Sequence, residues 1–131
     1  MTGTGSDARR KVLLIDDSTL VLRIASAYLS GHYEVITGRS GEEALAMAVA
    51  ERPDLILMDL HMAGRSGAET ADWLRRDQRT HDIPVIIMTT ASESALLPAH
   101  LERLTKPFDR RAVLAKIQTC LGLPVTEAVS E

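Results

Sequence analysis

The sequence lacks the features of three classes of protein: secreted, membrane-spanning and nucleic-acid-binding. Its single cysteine, Cys120, excludes an internal disulfide and fits a reducing compartment. No apolar run approaches the roughly 20 residues of a membrane-spanning helix, and the N-terminus lacks the apolar core of a signal peptide. The formal net charge of −3 gives no indication of a nucleic-acid surface. We therefore expect a cytoplasmic protein with no membrane insertion and no direct contact with nucleic acid.

The length and composition indicate one globular domain. The chain has 131 residues, 45% of them hydrophobic and 25% charged, with no internal repeat and no interdomain linker. At this size folding buries roughly two-thirds of the surface of the extended chain, which provides a core without disulfides. We expect the folded domain to span residues 11–122, between a flexible tail at 1–10 and a C-terminal tail at 123–131. Tails this short fit a complete chain.

Short apolar runs alternate with helical patterns along the chain. Such runs are typical of buried strands, and they lie at residues 11–15, 33–37, 55–58, 83–88 and 102–105. Strands separated by helices predict an α/β fold, in which a five-stranded parallel sheet is doubly wound by right-handed crossovers and carries helices on both faces.

Polar side chains follow four of the predicted strands, at the point where each strand ends. They are Asp16, Asp17, Asp59, Thr89 and Lys106. Because the carboxyl ends of parallel strands share one edge of the sheet, we expect these groups to meet in one crevice. Two carboxylates 4 Å apart repel by about 1 kcal/mol in water and by about 4 kcal/mol at an effective dielectric constant near 20, so three of them require a cation. Oxygen ligands of this kind suit Mg²⁺, and a hydroxyl with an ammonium suits phosphoryl oxygens. The crevice therefore predicts Mg²⁺-assisted phosphoryl transfer to a carboxylate.

Each of these residues also has an ordinary structural interpretation. Asp59 alone would more often be a strand-end cap, Asp16 a surface acid before a helix, and Thr89 a strand-end hydroxyl. Lys106 alone could be a solvated lysine. The functional interpretation is favoured only because all of them occupy the ends of strands in the same sheet.

These residues, with their neighbours, resemble the receiver domain of two-component response regulators. The resemblance covers residues 11–121 and rests on Asp16-Asp17, on Asp59 followed by Met62 and Gly67, on Thr89, and on Lys106-Pro107-Phe108. It implies a flavodoxin-like strand order, 2-1-3-4-5, and a stand-alone regulator similar to those of chemotaxis.

The resemblance also implies the role of each site residue. Asp59 would be the phosphoacceptor, and Lys106 would bind a phosphoryl oxygen, with a cis bond to the following proline. Asp17 and Asp59, with the backbone carbonyl of His61, would hold Mg²⁺, whereas Asp16 would act largely through bound water. Thr89 would move towards the phosphoryl group. The side chain of His61 would modulate how fast that group is lost.

The sequence departs from the family pattern between Thr89 and Lys106. The two residues are closer together in sequence than is usual, and Pro98 removes a backbone donor between them, so the fourth helix is predicted to be short, distorted or missing. Arg103 occupies the position, three residues before the lysine, that is usually aromatic. The surface that the family uses for output should therefore differ here.

Three functions are compatible with these residues. The first is a single-domain response regulator that receives a phosphoryl group on Asp59 from a histidine kinase or a phosphotransfer protein and signals through an unidentified partner protein. It would not be an enzyme, although it would assist its own phosphorylation and dephosphorylation. The second is a receiver-like scaffold that binds its partner regardless of phosphorylation, or a receiver excised from a larger regulator or hybrid kinase. The third, a phosphatase with an aspartyl-phosphate intermediate, is disfavoured because Asp16 and Asp17 are adjacent and the chain has no room for a cap domain.

Overall fold

The apolar runs form a five-stranded parallel sheet in a computed structural model that describes residues 9–123. The strands are β1 (Lys11–Ile15), β2 (Glu34–Gly38), β3 (Leu55–Asp59), β4 (Val85–Thr90) and β5 (Glu102–Lys106). They lie in the order β2-β1-β3-β4-β5, and every neighbouring pair is parallel. The predicted fold class and strand order are confirmed.

Five helices connect and follow the strands. They are α1 (Thr19–Leu29), α2 (Gly41–Glu51), α3 (Gly67–Arg76), α4 (Ala91–Ser94) and α5 (Arg110–Cys120). Each begins after a residue whose side-chain oxygen accepts a backbone N–H of the first turn; these caps are Ser18, Ser40, Ser66, Thr90 and Asp109. The four residues of α4 confirm the predicted short fourth helix. None of the helices between residues 9 and 123 is long and apolar enough to cross a membrane.

The core consists of one apolar layer on each face of the sheet. Successive residues of a strand point to opposite faces, so Leu14 and Leu57 pack beneath α1 and α5, whereas Leu13 and Ile56 pack beneath α2 and α3. Every residue of β3 is buried. Because β3 is the central strand and is packed on both faces, Asp59 at its end is held by a fully buried element.

The segment between α4 and β5 takes the place of a full-length helix. Leu97 and Leu101 pack against the core, whereas the side chain of Leu96 is exposed. Most of the two predicted tails lies outside the described residues, which begin at residue 9 and end at residue 123.

Candidate functional site

The carboxyl ends of the strands bring Asp59 and Lys106 into direct contact. The ammonium Nζ of Lys106 donates to Oδ1 of Asp59 at 2.5 Å. The backbone N–H of His61 donates to the other oxygen, Oδ2, at 3.1 Å. Asp59 is only 6% exposed, so both of its oxygens are held in fixed directions at the end of a buried strand. A buried carboxylate with this pairing is preorganised to react with an electrophile from the open side of the sheet edge.

Asp16 has one oxygen that the protein itself does not satisfy. Its Oδ1 accepts the N–H of Ser18 at 2.9 Å, but Oδ2 is buried and has no hydrogen-bond partner within residues 9–123. Burial raises the pKa of Asp16, and the negative charges of Asp59 and Asp17 raise it further against the lowering effects of Ser18 and Lys106. An unpaired acceptor of this kind is costly to bury, and a cation or its bound water would satisfy it.

Asp17 lies at the open side of the same edge. It is exposed, and its Oδ2 accepts the N–H of Ala63 at 3.2 Å. Within residues 9–123, no three acidic, histidine or cysteine side chains lie close enough together to enclose a metal ion by themselves. A cation here would therefore also need a backbone carbonyl and water, which is how proteins usually hold Mg²⁺. The unsatisfied oxygen of Asp16 fits that ion, as do the other available ligand atoms, which are all oxygens. The ligand set of Asp16, Asp17, Asp59 and the His61 carbonyl stays a prediction.

Thr89 lies at the same edge, and within residues 9–123 its only side-chain hydrogen bond is not to Asp59. It is buried, and its hydroxyl donates to the carbonyl of Thr90 in a long bond of 3.4 Å. Thr90 pairs with Lys106 in the sheet register and caps α4. The Lys106–Pro107 bond is cis, as predicted.

Two residues near the site were not found by sequence reasoning. The first is Glu93, whose Oε1 accepts the hydroxyl of Thr90 at 3.1 Å and whose Oε2 contacts the imidazole Nε2 of His61. The hydrogen bond with His61 lowers the pKa of the Glu93 carboxyl. This contact joins the loop after β3 to α4, next to Asp59. Its sequence signal was the Thr90-x-x-Glu93 pattern of a helix start.

The second residue is Arg39, in the connection between β2 and α2. Its guanidinium donates to the backbone carbonyl of Asp17 and to the hydroxyl of Thr19. It therefore contacts the loop that carries the acidic pair. An arginine in a polar connection gives no sequence signal for such a contact.

The sequence profile of the response regulator receiver domain matches residues 12–118. The chain belongs to this family. It is 38% identical to the polar-differentiation response regulator DivK of Brucella ovis, over 86% of this chain and 97% of DivK. It is 35% identical to the phosphate regulon transcriptional regulatory protein PhoB of Pseudomonas aeruginosa, of which it spans only 52% of the length.

Solved receiver structures share the fold. The chemotaxis response regulator CheY4 of Vibrio cholerae matches with a TM-score of 0.75 and 31% identity, over 86% of this receiver and 99% of that chain. The receiver domain of the sensor histidine kinase PA1611 of Pseudomonas aeruginosa, described with a magnesium ion in its active-site cleft, matches with a TM-score of 0.79 and 24% identity, over 88% and 99% of the two chains. The latter similarity shows the fold alone.

Proposed function

We propose that this receiver accepts a phosphoryl group on Asp59 from the phosphohistidine of a kinase or phosphotransfer protein, in the manner of a stand-alone response regulator. The contact between the Lys106 ammonium and the buried Asp59 carboxylate is the observation that carries the proposal. An oxygen of Asp59 attacks phosphorus, the bond from phosphorus to the histidine nitrogen breaks, and its electron pair stays on the imidazole. The products are an aspartyl phosphate and a free histidine on the donor.

The residues around Asp59 have separate roles in this transfer. Lys106 would move from the carboxylate to a phosphoryl oxygen. Once Asp59 is bonded to phosphorus, the negative charge lies on the phosphoryl oxygens, and the ammonium follows it. Asp16, Asp17 and Asp59, with the carbonyl of His61, would hold Mg²⁺. The ion would neutralise the negative charge of the phosphoryl group, which the three carboxylates would otherwise repel.

The output of the receiver is a change at its surface that a partner protein reads. Thr89 would turn from the carbonyl of Thr90 towards the phosphoryl group, since its present hydrogen bond is long and easily exchanged. The contact of His61 with Glu93 would influence how fast the phosphoryl group is hydrolysed. We place this chemistry in the cytoplasm, and the protein would act as a phosphoacceptor that assists its own reactions rather than as an enzyme with an external substrate.

Phosphorylation by a small donor tests the proposal. Incubation with acetyl phosphate and MgCl₂ should add one phosphoryl mass to the wild type, and peptide mapping after borohydride reduction should place it on Asp59. Asp59→Asn should remain unlabelled, whereas Asp82→Asn, which removes an exposed acid on the connection between α3 and β4, should label like the wild type. Equal labelling of wild type and Asp59→Asn would overturn the proposal.

A scaffold that binds its partner regardless of phosphorylation is the second candidate. The position of Arg103 favours it, because this residue replaces the aromatic side chain expected there and its guanidinium donates to the carbonyls of Ser94, Pro98 and Leu101. A segment held through three of its carbonyls is less free to change on phosphorylation. Equal affinity of a captured partner for beryllofluoride-treated wild type and for Asp59→Asn would support this candidate over a switch.

A further inference from the structure

The guanidinium of Arg39 connects two neighbouring loops at the carboxyl edge of the sheet. Its Nη2 donates to the backbone carbonyl of Asp17 at 2.7 Å, and its Nη1 donates to the hydroxyl of Thr19 at 2.9 Å. The last backbone bond between these loops runs from the N–H of Asp16 to the carbonyl of Gly38 at 3.2 Å. The backbone pairing of β1 with β2 ends at this bond. Beyond it, the side chain of Arg39 links the two loops.

The backbone of Arg39 is itself held in place. Its N–H donates to Oε1 of Glu43 at 2.8 Å, and Glu43 is fixed in the first turn of α2. The planar guanidinium presents two parallel donors, which suit two oxygens lying side by side. The carbonyl of Asp17 and the hydroxyl of Thr19 are thus set by a rigid fork anchored on a different helix.

Asp17 needs such support more than its acidic neighbours do. Asp16 and Asp59 are buried, whereas Asp17 is exposed. Among residues 9–123 its carboxylate accepts one hydrogen bond, from the N–H of Ala63 at 3.2 Å. Its position depends mainly on its own backbone, and that backbone is held by Arg39. Without the guanidinium, the bond from Ala63 alone would hold the carboxylate towards the shared crevice.

We propose that Arg39 is a positioning residue for Mg²⁺ binding, which acts by fixing Asp17. The inference rests on the proposed function, because it assigns Arg39 a role in the cation site of that function. Arg39 does not touch the cation; it sets the place of one of the ligands.

The sign of the effect separates positioning from electrostatics. By charge alone, a guanidinium beside a cation site repels Mg²⁺, so its removal should tighten Mg²⁺ binding. If Arg39 positions Asp17, its removal should weaken Mg²⁺ binding although a positive charge has been lost. The two explanations therefore predict opposite changes in the dissociation constant.

Calorimetric titration of the protein with MgCl₂, without any phosphodonor, makes this comparison. For Arg39→Gln we expect a dissociation constant about tenfold higher than that of the wild type, the effect of losing one charge-assisted hydrogen bond. Arg39→Lys should also bind more weakly, since an ammonium keeps the charge but not the planar fork. Arg23→Gln, which removes an exposed arginine from α1 with the same change in net charge, should bind like the wild type.

Three further observations make the result decisive. Thermal unfolding in EDTA identifies a variant that has lost its fold, and Arg39→Lys then serves in place of Arg39→Gln. Phosphorylation of Arg39→Gln by acetyl phosphate should recover at saturating Mg²⁺, since Asp59 and Lys106 are unchanged. Equal or tighter Mg²⁺ binding by both Arg39 variants would overturn the inference, whereas failure of the wild type to bind Mg²⁺ would overturn the metal site of the proposed function itself.

Discussion

Gly67 lies against the backbone of Asp59, so closely that a Cβ on Gly67 would be 2.3 Å from the Asp59 carbonyl oxygen and 3.0 Å from the carbonyl carbon. Both of these are backbone atoms, which cannot rotate away as the end of a side chain can. The N–H of Gly67 also donates to the carbonyl of Leu60 at 2.8 Å. The start of α3 is thus packed directly behind Asp59, and glycine is required there by space.

Replacement of this glycine should destabilise the fold and displace Asp59. We expect Gly67→Ala to lower the free energy of unfolding by about 1–3 kcal/mol, the usual cost of overpacking a close contact. Urea unfolding followed by circular dichroism measures it. Gly31→Ala is the matched control, since a Cβ at Gly31 meets no atom within 4 Å. Similar unfolding midpoints for the two variants would show that the backbone of β3 yields to the added methyl group.

The sequence was sufficient to predict the sheet and the residues at its edge, because each of these depends on a local pattern. A run such as 55–58 is apolar throughout, and an acid directly after it must emerge at the strand end. The contacts of Arg39 and Glu93 could not be predicted in this way. Arg39 bonds to Asp17 across 22 positions and Glu93 contacts His61 across 32. Such pairs are determined by the relative placement of whole loops, and exposed polar residues carry no periodicity that indicates their partner.

The raised pKa of Asp16 predicts how the stability of the protein depends on pH. A carboxyl whose pKa is higher in the folded state stabilises the fold below its unfolded pKa of 3.8, and this contribution is lost as the pH rises through the higher folded value. At neutral pH the charged, incompletely paired Asp16 therefore destabilises the protein. We expect Asp16→Asn to be more stable than the wild type at pH 7 in EDTA, and the difference to vanish below the unfolded pKa.

Urea unfolding at several pH values measures this difference. Asp82→Asn, which removes an exposed acid far along the chain from the site, is the control. Addition of MgCl₂ at pH 7 should stabilise the wild type more than Asp16→Asn, because a ligand that binds only the folded state stabilises it in proportion to its affinity. A wild type that is more stable than Asp16→Asn at pH 7 in EDTA would contradict the prediction.

The contact between His61 and Glu93 should slow hydrolysis of the aspartyl phosphate. The contact joins the loop after β3 to α4, which follows the neighbouring strand β4, and it lies beside Asp59. In that place it would limit the approach of water to a phosphoryl group on Asp59. We expect Glu93→Ala to lose its phosphoryl group severalfold faster than the wild type after the donor is removed. Glu42→Gln, at an exposed acid of α2, should decay like the wild type. The decay is followed by intact mass at fixed Mg²⁺, and a slower loss from Glu93→Ala would exclude a protective role for this contact.

The position of Arg103 should decide how the output surface behaves. Its Nη2 donates to the carbonyl of Pro98 at 2.6 Å and to that of Leu101 at 2.8 Å, and its Nη1 donates to the carbonyl of Ser94 at the end of α4. An aromatic side chain at this position would have no such donors. The guanidinium thus compensates for the helical hydrogen bonds that the shortened fourth helix does not make.

Removal of this fork should loosen the segment between α4 and β5. We expect Arg103→Lys to speed amide exchange at residues 95–101 and to lower the free energy of unfolding by about 1.5–3 kcal/mol, the range for hydrogen bonds to charged groups. Arg110→Lys, on an exposed residue of α5, should leave both quantities unchanged.

Exchange measured with and without beryllofluoride then separates the two candidate functions. A switch requires that beryllofluoride change the exchange of residues 95–101 in the wild type, and a scaffold requires that it does not, because the Arg103 bonds persist in both states.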